Sequence, residues 1–370
     1  MKKIAIILMA AALICFTACS KNSAKKAAKT SIKVAMVTDS GDITDQSFNQ
    51  TTYQACKDYA AANGLEFQYY KPAGDSTADR VASIDAAYQD GYNVIVLPGF
   101  LFGEAIVKVA KDYADAKFIG LDISEGDLGG EAVPANVFCA VYAEELPGFF
   151  AGYAAVKEGY RHLGFLGGMA VPAVIRYGYG FVQGANKAAE ELGVTGDVTV
   201  EYVYGGQFYG DQTITASMDG WYKNRGVEVV FACGGGIWTS ACEAAAKVGG
   251  KVIGVDVDQT AQINSYGEGM HVTSAMKGLG ATVNTVLSAI QAGKWSDYSG
   301  KVATLGLVSG TDSSANYVAL PTDSWVMKNF TVKEYMKLVS DVFNKNIIVS
   351  NATDKEPSVS VKVNYYQNIK

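Results

Sequence analysis

The sequence predicts an α/β protein made of two lobes, each with a parallel β-sheet flanked by helices. Short apolar runs typical of buried strands alternate with longer segments of helical periodicity, which is the pattern of a parallel sheet. This alternation starts again after residue 142 without a disordered linker. The length of 370 residues also exceeds one ordinary domain and fits two.

The first half contains enough strands for one complete sheet. A strand at 32–38 leads into a helix that begins at Phe48 and ends at Asn63-Gly64, a common helix stop. The predicted strands that follow are 65–70, 93–97, 117–121 and 136–141, and the predicted helices are 79–90 and 103–113. Because a helix separates most successive strands, we expect neighbouring strands to be parallel.

The second half repeats this order and continues into a long tail. Its predicted helices are 144–157, 177–192, 210–224, 238–248 and 279–292, and its predicted strands are 162–166, 198–204, 227–232, 252–255 and 271–277. The tail adds predicted strands at 302–308, 317–320 and 358–366 and a helix at 332–344. We expect a tail of this length to cross back between the lobes.

Charge and rare residues argue against several classes of function. The formal net charge is −6, so we expect no basic face for nucleic acid. The histidines His162 and His271 lie far apart, and the cysteines after residue 19 match no zinc or redox spacing. We therefore expect no metal, no cofactor and no Ser–His–Asp triad.

The N-terminus has the features of an export signal. Lys2 and Lys3 precede an apolar run at 4–16, and the next residues, Thr17-Ala18-Cys19, resemble a lipoprotein signal-peptidase site. We expect residues 1–18 to be a signal peptide, Cys19 to be lipidated, and 19–31 to be a tether at the extracytoplasmic face of a bacterial cell membrane. The alternative is an ordinary secretory signal.

Three predicted strands end in an aspartate. They read Val34-Ala-Met-Val-Thr-Asp39, Phe118-Ile-Gly-Leu-Asp122 and Val252-Ile-Gly-Val-Asp256. In open α/β sheets, ligands bind outside the carboxyl ends of the strands, so facing lobes would bring all three carboxylates into one cleft. For any one of them, the alternative is a helix cap. Carboxylates accept hydrogen bonds only, which favours a ligand rich in O–H and N–H donors.

Aromatic residues in polar loops form a second group of candidates. Phe48 lies between Ser47 and Asn49 at a helix start, and Phe208 lies in the glycine-rich segment 205–211. Such residues are poorly placed for a core, so they favour stacking on a ligand ring. The alternative is a loop residue that packs against its own loop. Trp238 is a weaker candidate of the same kind.

Glycine-rich turns and one lysine complete the candidates. The turns at 167–169 and 234–236 lack the Gly-Lys-Ser/Thr of a P-loop. They are interpreted as backbone that approaches a ligand closely, with Gly235 as a candidate N–H donor, or as tight turns. Lys277 follows the strand-like run Val272-Thr-Ser-Ala-Met276 and could donate to ligand oxygens beside the carboxylates, although alone it would be interpreted as a surface lysine.

Together these segments resemble the basic membrane protein family of lipoproteins, whose best understood members are purine nucleoside receptors that feed ABC importers. The resemblance covers nearly the whole chain after the signal segment. The matching residues are Asp39, Asp45-Gln-Ser-Phe-Asn49, Gly168-Met169, Pro172, Gly180-Phe181, Gly184, Ile253-Gly-Val-Asp-Val-Asp-Gln259, Thr273-Ser274 and Lys277.

The resemblance implies a type I periplasmic-binding-protein fold, with two Rossmann-like lobes, three crossing segments and a hinged cleft. On that fold we expect residues 32–142 and about 270–300 in the N-terminal lobe. We expect 143–269 and about 301–370 in the C-terminal lobe.

The resemblance also implies site roles. Phe48 and Phe208 would sandwich a purine base. Asp122, with Ser47 or Asn49, would bind the polar edge of the base. The ribose hydroxyls would be held by Asp256, Lys277 and backbone near Gly235, while Asp39 lines the same site. Trp238 stands where a smaller residue is expected, which affects the size of the site.

The resulting hypothesis is a monomeric, non-enzymatic lipoprotein that binds a purine nucleoside and delivers it to an ABC permease. Three alternatives are a nucleoside hydrolase, the same fold with a sugar or signalling ligand, and a sensor that docks onto a membrane receptor. The hydrolase would need a metal or an activated water, and the sequence offers no ligand cluster for one.

Overall fold

The structure is a computed structural model that describes residues 31–370. The predicted signal peptide, the tether up to residue 30 and the lipidation site Cys19 lie outside the described residues. Their assignment therefore stays a prediction.

The described chain alternates between strands and helices. The strands are β1 (Val34–Val37), β2 (Phe67–Tyr70), β3 (Val94–Pro98), β4 (Lys117–Leu121), β5 (Val137–Tyr142), β6 (His162–Gly167), β7 (Thr199–Tyr204), β8 (Val229–Cys233), β9 (Lys251–Asp256), β10 (His271–Lys277), β11 (Lys301–Leu305), β12 (Val318–Ala319) and β13 (Lys362–Tyr365). The α-helices are α1 (Phe48–Asn63), α2 (Thr77–Gln89), α3 (Gly103–Val109), α4 (Glu145–Glu158), α5 (Pro172–Leu192), α6 (Gln212–Gly220), α7 (Trp238–Ala246), α8 (Thr260–Asn264), α9 (Leu279–Gln291) and α10 (Val332–Phe343).

These strands form two sheets, which confirms the two-lobe α/β prediction. The first sheet has the order β11-β5-β4-β3-β1-β2, and the second has the order β12-β10-β9-β8-β6-β7-β13. All pairings are parallel except the one between β10 and the short strand β12. In both sheets the strand order reverses next to the first strand of the lobe, which is where open α/β sheets bind ligands.

Alternate strand residues pack on opposite faces of each sheet. In β1, Val34 and Met36 join one apolar cluster, whereas Ala35 and Val37 join the cluster on the other face. The second sheet is likewise covered by one cluster on each face. Burial on both faces explains the continuous apolar runs that identified the strands in the sequence.

Helix boundaries follow local signals. Helix α1 ends at Gly64, whose φ of 63° is left-handed and closes the helix with hydrogen bonds to two carbonyls. Helices α2 and α10 begin with reciprocal capping boxes at Ser76 and Thr331. The predicted helix at 210–224 is divided, because Asp211 caps α6 through Ile214 N–H and the chain then makes a π-helical turn at Trp221–Arg225.

The chain crosses between the lobes at 143–144, at 278 and at 306–317. Two of the predicted lobe boundaries need correction. Strand β10 pairs with β9 in the second lobe, not the first, and β11 pairs with β5 in the first lobe, not the second. Helix α9 packs on α1, as predicted for the first lobe. The apolar pattern of a strand predicts its burial but not which sheet edge it joins, and this explains the error.

The four cysteines of the described chain, Cys56, Cys139, Cys233 and Cys242, are buried and form no disulfide within it. Within residues 31–370, no helix combines the length and the apolar character needed to span a bilayer.

Candidate functional site

A cavity lies between the lobes at the carboxyl ends of both sheets. Its wall contains all three strand-end aspartates, which confirms that the two lobes bring them into one cleft. Of the ten predicted site residues, the eight on the wall are Asp39, Phe48, Asn49, Asp122, Phe208, Gly235, Asp256 and Lys277.

Asp122 and Asp256 occupy equivalent places in the two lobes. Asp122 directly follows β4 and Asp256 ends β9, and these strands hold the same position in their sheets. Both residues adopt left-handed backbone, with φ of 57° and 66°. That conformation is uncommon for residues other than glycine, and aspartate tolerates it better than most. Its occurrence at both strand ends indicates that the carboxylates are held in place by the fold.

Lys277 is the centre of the charged groups in the cavity. Its Nζ lies 2.5 Å from Asp122 Oδ2, 3.6 Å from Glu144 Oε1 and 3.8 Å from Asp256 Oδ1. It also lies 4.8 Å from the centroid of the Phe48 ring. Only 3% of its side chain is exposed. Three carboxylates and an aromatic face therefore share one buried cation, which joins the first lobe to the second.

This arrangement shifts the acidity of the groups involved. Burial lowers the pKa of Lys277, but the charges of Asp122, Asp256 and Glu144 outweigh it, so the pKa is raised and the amine stays charged. Burial raises the pKa of Asp256 to about 6, although Lys277 and the Ser47 hydroxyl oppose the shift. Keeping Asp256 in its charged form therefore costs more free energy than it does for an exposed aspartate.

The loop before α1 is ordered by two carboxylates. Asp45 accepts hydrogen bonds from the backbone N–H groups of Ser47 and Asn49 at 2.9 Å each. Asp39 accepts from the Gly41 N–H at 2.8 Å and from the Asn49 amide at 3.0 Å. Burial raises the pKa of Asp39, and these donors partly offset that shift. Asp45 therefore caps the start of α1 and fixes Phe48 and Asn49 on the cavity wall.

Phe208 rests on a glycine surface. Its ring lies against Gly168 and Gly234, and a Cβ at Gly168 would overlap the ring. A Cβ at Gly234, where φ is 137°, would lie 3.0 Å from the ring atom Cδ1. The glycine-rich turns are therefore explained by close approach of backbone to an aromatic side chain. One face of the ring is supported by backbone while the ring lines the cavity.

Several buried polar atoms on the cavity wall have no hydrogen-bond partner among residues 31–370. They are Asn49 Oδ1, Asp122 Oδ1 and the Tyr177 hydroxyl. Buried polar groups are nearly always paired, so their presence here indicates a ligand with complementary groups. Two of these atoms are acceptors only, which agrees with a ligand that carries N–H or O–H donors.

The structure corrects the roles of Ser47 and Trp238. Neither lines the cavity; both make hydrogen bonds between the lobes. The Ser47 hydroxyl donates to Asp256 Oδ2 at 2.5 Å, and the Trp238 indole N–H donates to the Asp45 carbonyl at 3.1 Å. Trp238 was considered a ligand candidate because it follows a glycine-rich turn, but α7 turns its indole toward the opposite lobe.

Sequence reasoning missed Glu144, Arg176 and Gln259. Glu144 is fully buried beside Lys277 and accepts a 2.6 Å hydrogen bond from Arg176 Nε. The Gln259 amide donates to the Gln46 carbonyl across the cleft at 3.0 Å. Glu144 could have been found, because it follows the end of β5 as the three aspartates follow their strands. Arg176 lies inside a helical pattern and offers no such signal.

The part of the chain that the structure describes contains no group of three or more His, Cys, Asp or Glu side chains arranged to hold a metal ion. The cavity offers fixed acceptors, two cations (Lys277 and Arg176) and four aromatic rings, those of Phe48, Phe100, Tyr177 and Phe208. This arrangement is suited to binding a ring-bearing polar molecule.

The chain is similar to several named proteins. The chain is 29% identical to the ABC transporter nucleoside-binding protein BmpA of Lactococcus lactis over 304 residues, which covers 76% of this chain and 81% of that protein. It is 26% identical to basic membrane protein B of Borreliella burgdorferi, covering 91% and 92%. A solute-binding protein of an ABC transporter system from Aeropyrum pernix has the same fold, with a TM-score of 0.67, 22% identity and coverage of 86% and 87%.

A family model described as ABC transporter substrate-binding protein PnrA-like matches residues 32–353. This match covers most of the chain and agrees with the two-lobe fold. The protein belongs to the PnrA-like family of ABC transporter substrate-binding proteins.

Proposed function

We propose that this protein is an extracytoplasmic lipoprotein that captures a purine nucleoside between its lobes and delivers it to an ABC permease. The observation that carries the proposal is the joint position of Phe48 and Phe208 with Asp122 and Asp256 on one interlobe cavity. Aromatic faces suit a base, and carboxylates suit hydroxyl and N–H donors, so the cavity complements both halves of a nucleoside.

The base is stacked between Phe48 and Phe208. Phe208 is supported on its glycine surface, and Phe48 is held at the start of α1 under the Lys277 amine. Stacking of one base on aromatic side chains contributes roughly 1–3 kcal/mol. Because every base has a π-face, stacking supplies affinity, and the choice of base falls to polar atoms such as Asp122 Oδ1 and Asn49 Oδ1.

The ribose is bound by Asp256 and Lys277. A carboxylate can accept from two vicinal hydroxyls at once, and each hydrogen bond to a charged group is worth about 1.5–3 kcal/mol. The glycine turn at Gly235 brings backbone to the same wall of the cavity. A free base lacks these contacts and is expected to bind more weakly.

Capture and release proceed by closure of the lobes about the three crossing segments. Three hydrogen bonds join the loop at 45–47 to the second lobe. The Ser47 hydroxyl donates to Asp256, and the side chains of Trp238 and Gln259 donate to the carbonyls of Asp45 and Gln46. They belong to the closed arrangement and break when the lobes separate. A permease would bind the closed form and accept the ligand on opening.

Isothermal titration calorimetry tests the proposal, with guanosine, inosine, adenosine, cytidine and ribose as ligands. We expect purine nucleosides to bind with Kd near micromolar or tighter, about −8 kcal/mol or better. Ribose binding without nucleoside binding would instead favour the sugar alternative. Release of free base from inosine, followed by chromatography, would favour the hydrolase alternative.

A further inference from the structure

Arg176 lies on the cavity wall with unused hydrogen-bond donors. Its Nε donates to Glu144 Oε2 at 2.6 Å, and 17% of the side chain is exposed. Neither Nη atom donates a hydrogen bond to any residue between 31 and 370. A guanidinium presents its donors as a rigid planar fork, so the free edge of Arg176 can bind two acceptors at once.

The rest of the cavity wall is dominated by acceptors. Lys277 is the other cation on the described wall, and its amine is surrounded by three carboxylates. Asp122 Oδ1 and Asn49 Oδ1 are buried acceptors that have no partner in the described part of the chain. Arg176 therefore supplies charged donors that are not already shared among three carboxylates, and a ligand acceptor of matching shape would favour this place.

Arg176 and Asp256 stand at opposite ends of a chain of ion pairs. Asp256 lies 3.8 Å from Lys277, Lys277 lies 3.6 Å from Glu144, and Glu144 lies 2.6 Å from Arg176. With the ribose at Asp256, the far end of a bound nucleoside is its base. Because Arg176 and Asp256 line the same cavity without contacting each other, a nucleoside with its ribose at Asp256 can extend its base toward Arg176.

Glu144 holds the guanidinium in one orientation. Its side chain is fully buried and accepts from Arg176 Nε, so neither Nη group is used in this hydrogen bond. Burial raises the pKa of Glu144, while Lys277 and Arg176 oppose the shift. A charge-assisted bond of this kind restricts the side chain before any ligand arrives, so little ordering entropy is lost on binding.

We propose that Arg176 is a specificity-determining residue that binds the O6 and N7 acceptors of a 6-oxopurine, so that guanosine and inosine bind more tightly than adenosine. Guanine presents O6 and N7 side by side, and a bidentate arginine matches them. Adenine places an amino group at the same position, which opposes the cation with a donor. This inference rests on the proposed nucleoside function.

Asp122 also favours a 6-oxopurine over adenine, through the N1 position of the base. Its free Oδ1 is an acceptor, and 6-oxopurines carry a hydrogen on N1. Adenine has an acceptor at N1, so two acceptors would face each other. Arg176 and Asp122 therefore discriminate in the same direction.

The test is calorimetry of the full chain and its variants with guanosine, 7-deazaguanosine and adenosine. We expect the wild type to prefer guanosine over adenosine by about 10-fold or more. Arg176→Lys keeps a positive charge beside Glu144 but lacks the fork, so this preference should fall by about 5-fold, and the part that remains is the contribution of Asp122. 7-Deazaguanosine, which lacks the N7 acceptor, should bind the wild type about 5-fold more weakly than guanosine and bind Arg176→Lys as well as guanosine does.

Two controls separate specificity from folding. Arg225→Gln changes an arginine of the second lobe that is 46% exposed and lies off the cavity wall, and it should leave the preference unchanged. The double variant Glu144→Gln with Arg176→Gln removes both charges, so it avoids a buried unpaired carboxylate and should lower the preference by about the same factor. Equal weakening of guanosine and adenosine in Arg176→Lys would overturn the inference alone. Absence of any nucleoside binding by the wild type would overturn the proposed function as well.

Discussion

The two lobes present the same strand-end aspartate in the same left-handed backbone, but each carboxylate is satisfied differently. Asp122 of the first lobe pairs with a charged amine, Lys277 of the second lobe, at 2.5 Å. Asp256 of the second lobe accepts from a neutral hydroxyl, Ser47 of the first lobe, at 2.5 Å. Each lobe thus supplies the donor for the aspartate of the other.

Because their partners differ, the two aspartates have different roles. Asp122 forms a charge pair that joins the lobes, and one of its oxygens stays free. Asp256 is 4% exposed and its pKa is raised to about 6, because burial outweighs the attraction of a cation 3.8 Å away. A ligand hydroxyl would stabilise the charged form of Asp256 most, since that group is the less well compensated one.

Removal of the shared cation should have the largest effect. Lys277→Met leaves Asp122 without its charged partner, while Asp256 keeps the Ser47 hydroxyl. Breaking one side of a buried ion pair costs about 3–5 kcal/mol of unfolding free energy, measurable by urea denaturation. Lys337→Met, which breaks an exposed pair with Asp341, is the control and should lower the unfolding free energy far less. Equal losses would show that the buried pair has no special role.

The pH dependence of stability should show that Asp256 is the aspartate whose negative charge is less well compensated by its neighbours. Its pKa is raised from 3.8 to about 6 on folding, so the folded state binds the proton more tightly than the unfolded chain. The resulting stability is fully present below about pH 4 and is lost as the pH rises through about 6. Urea denaturation gives the difference in unfolding free energy between the wild type and Asp256→Asn. Between pH 4 and pH 7 this difference should change by a value on the order of 3 kcal/mol. A constant difference across this range would mean that burial does not perturb Asp256.

Binding measurements sharpen the comparison further. Asp256→Ala should weaken guanosine by about 10- to 100-fold, because the ribose loses a charged acceptor. Free guanine makes no ribose contact, so its affinity should change much less. Calorimetry with both ligands gives the two ratios. Equal losses for nucleoside and base would mean that Asp256 does not hold the ribose.

The sequence predicts that an aspartate lies at the end of each of these strands, but it does not predict which residues donate hydrogen bonds to the carboxylates. Asp39, Asp122 and Asp256 were predicted to meet because apolar runs end at each of them, and that prediction is confirmed. Ser47 and Trp238 were assigned to the ligand because sequence shows chemical type but not side-chain direction. Their hydrogen bonds join residues 209 and 193 positions apart, and such pairs depend on how the lobes close.

The assignment of strands to lobes fails for a related reason. The strands β10 and β11 contain both polar and apolar residues, and neither pattern indicates which sheet the strand joins. The chain crosses between the lobes directly after each of them, at 278 and at 306–317. The pairing of Arg176 with Glu144 shows the same limit. A helical pattern predicts that Arg176 lies on a helix, but its direction toward a buried carboxylate follows from packing of α5 against α4.

The smallest expected effect concerns closure itself. Trp238→Phe removes one hydrogen bond between the lobes, and a bond of this kind contributes about 0.5–1.5 kcal/mol. Because that energy is present only in the closed form, nucleoside affinity should fall by about 2- to 10-fold while the ribose and base contacts stay intact.

Trp325→Phe is the matched control for this change. Trp325 also donates its indole N–H to a backbone carbonyl, that of Phe330, but both residues lie within the second lobe. Its loss should lower the unfolding free energy and leave affinity unchanged. If both variants weakened binding equally, the indole of Trp238 would serve the stability of its own lobe. A selective effect of Trp238→Phe, in contrast, would show that the two lobes are coupled by donors that each supplies to the other, the relation already seen at Asp122 and Asp256.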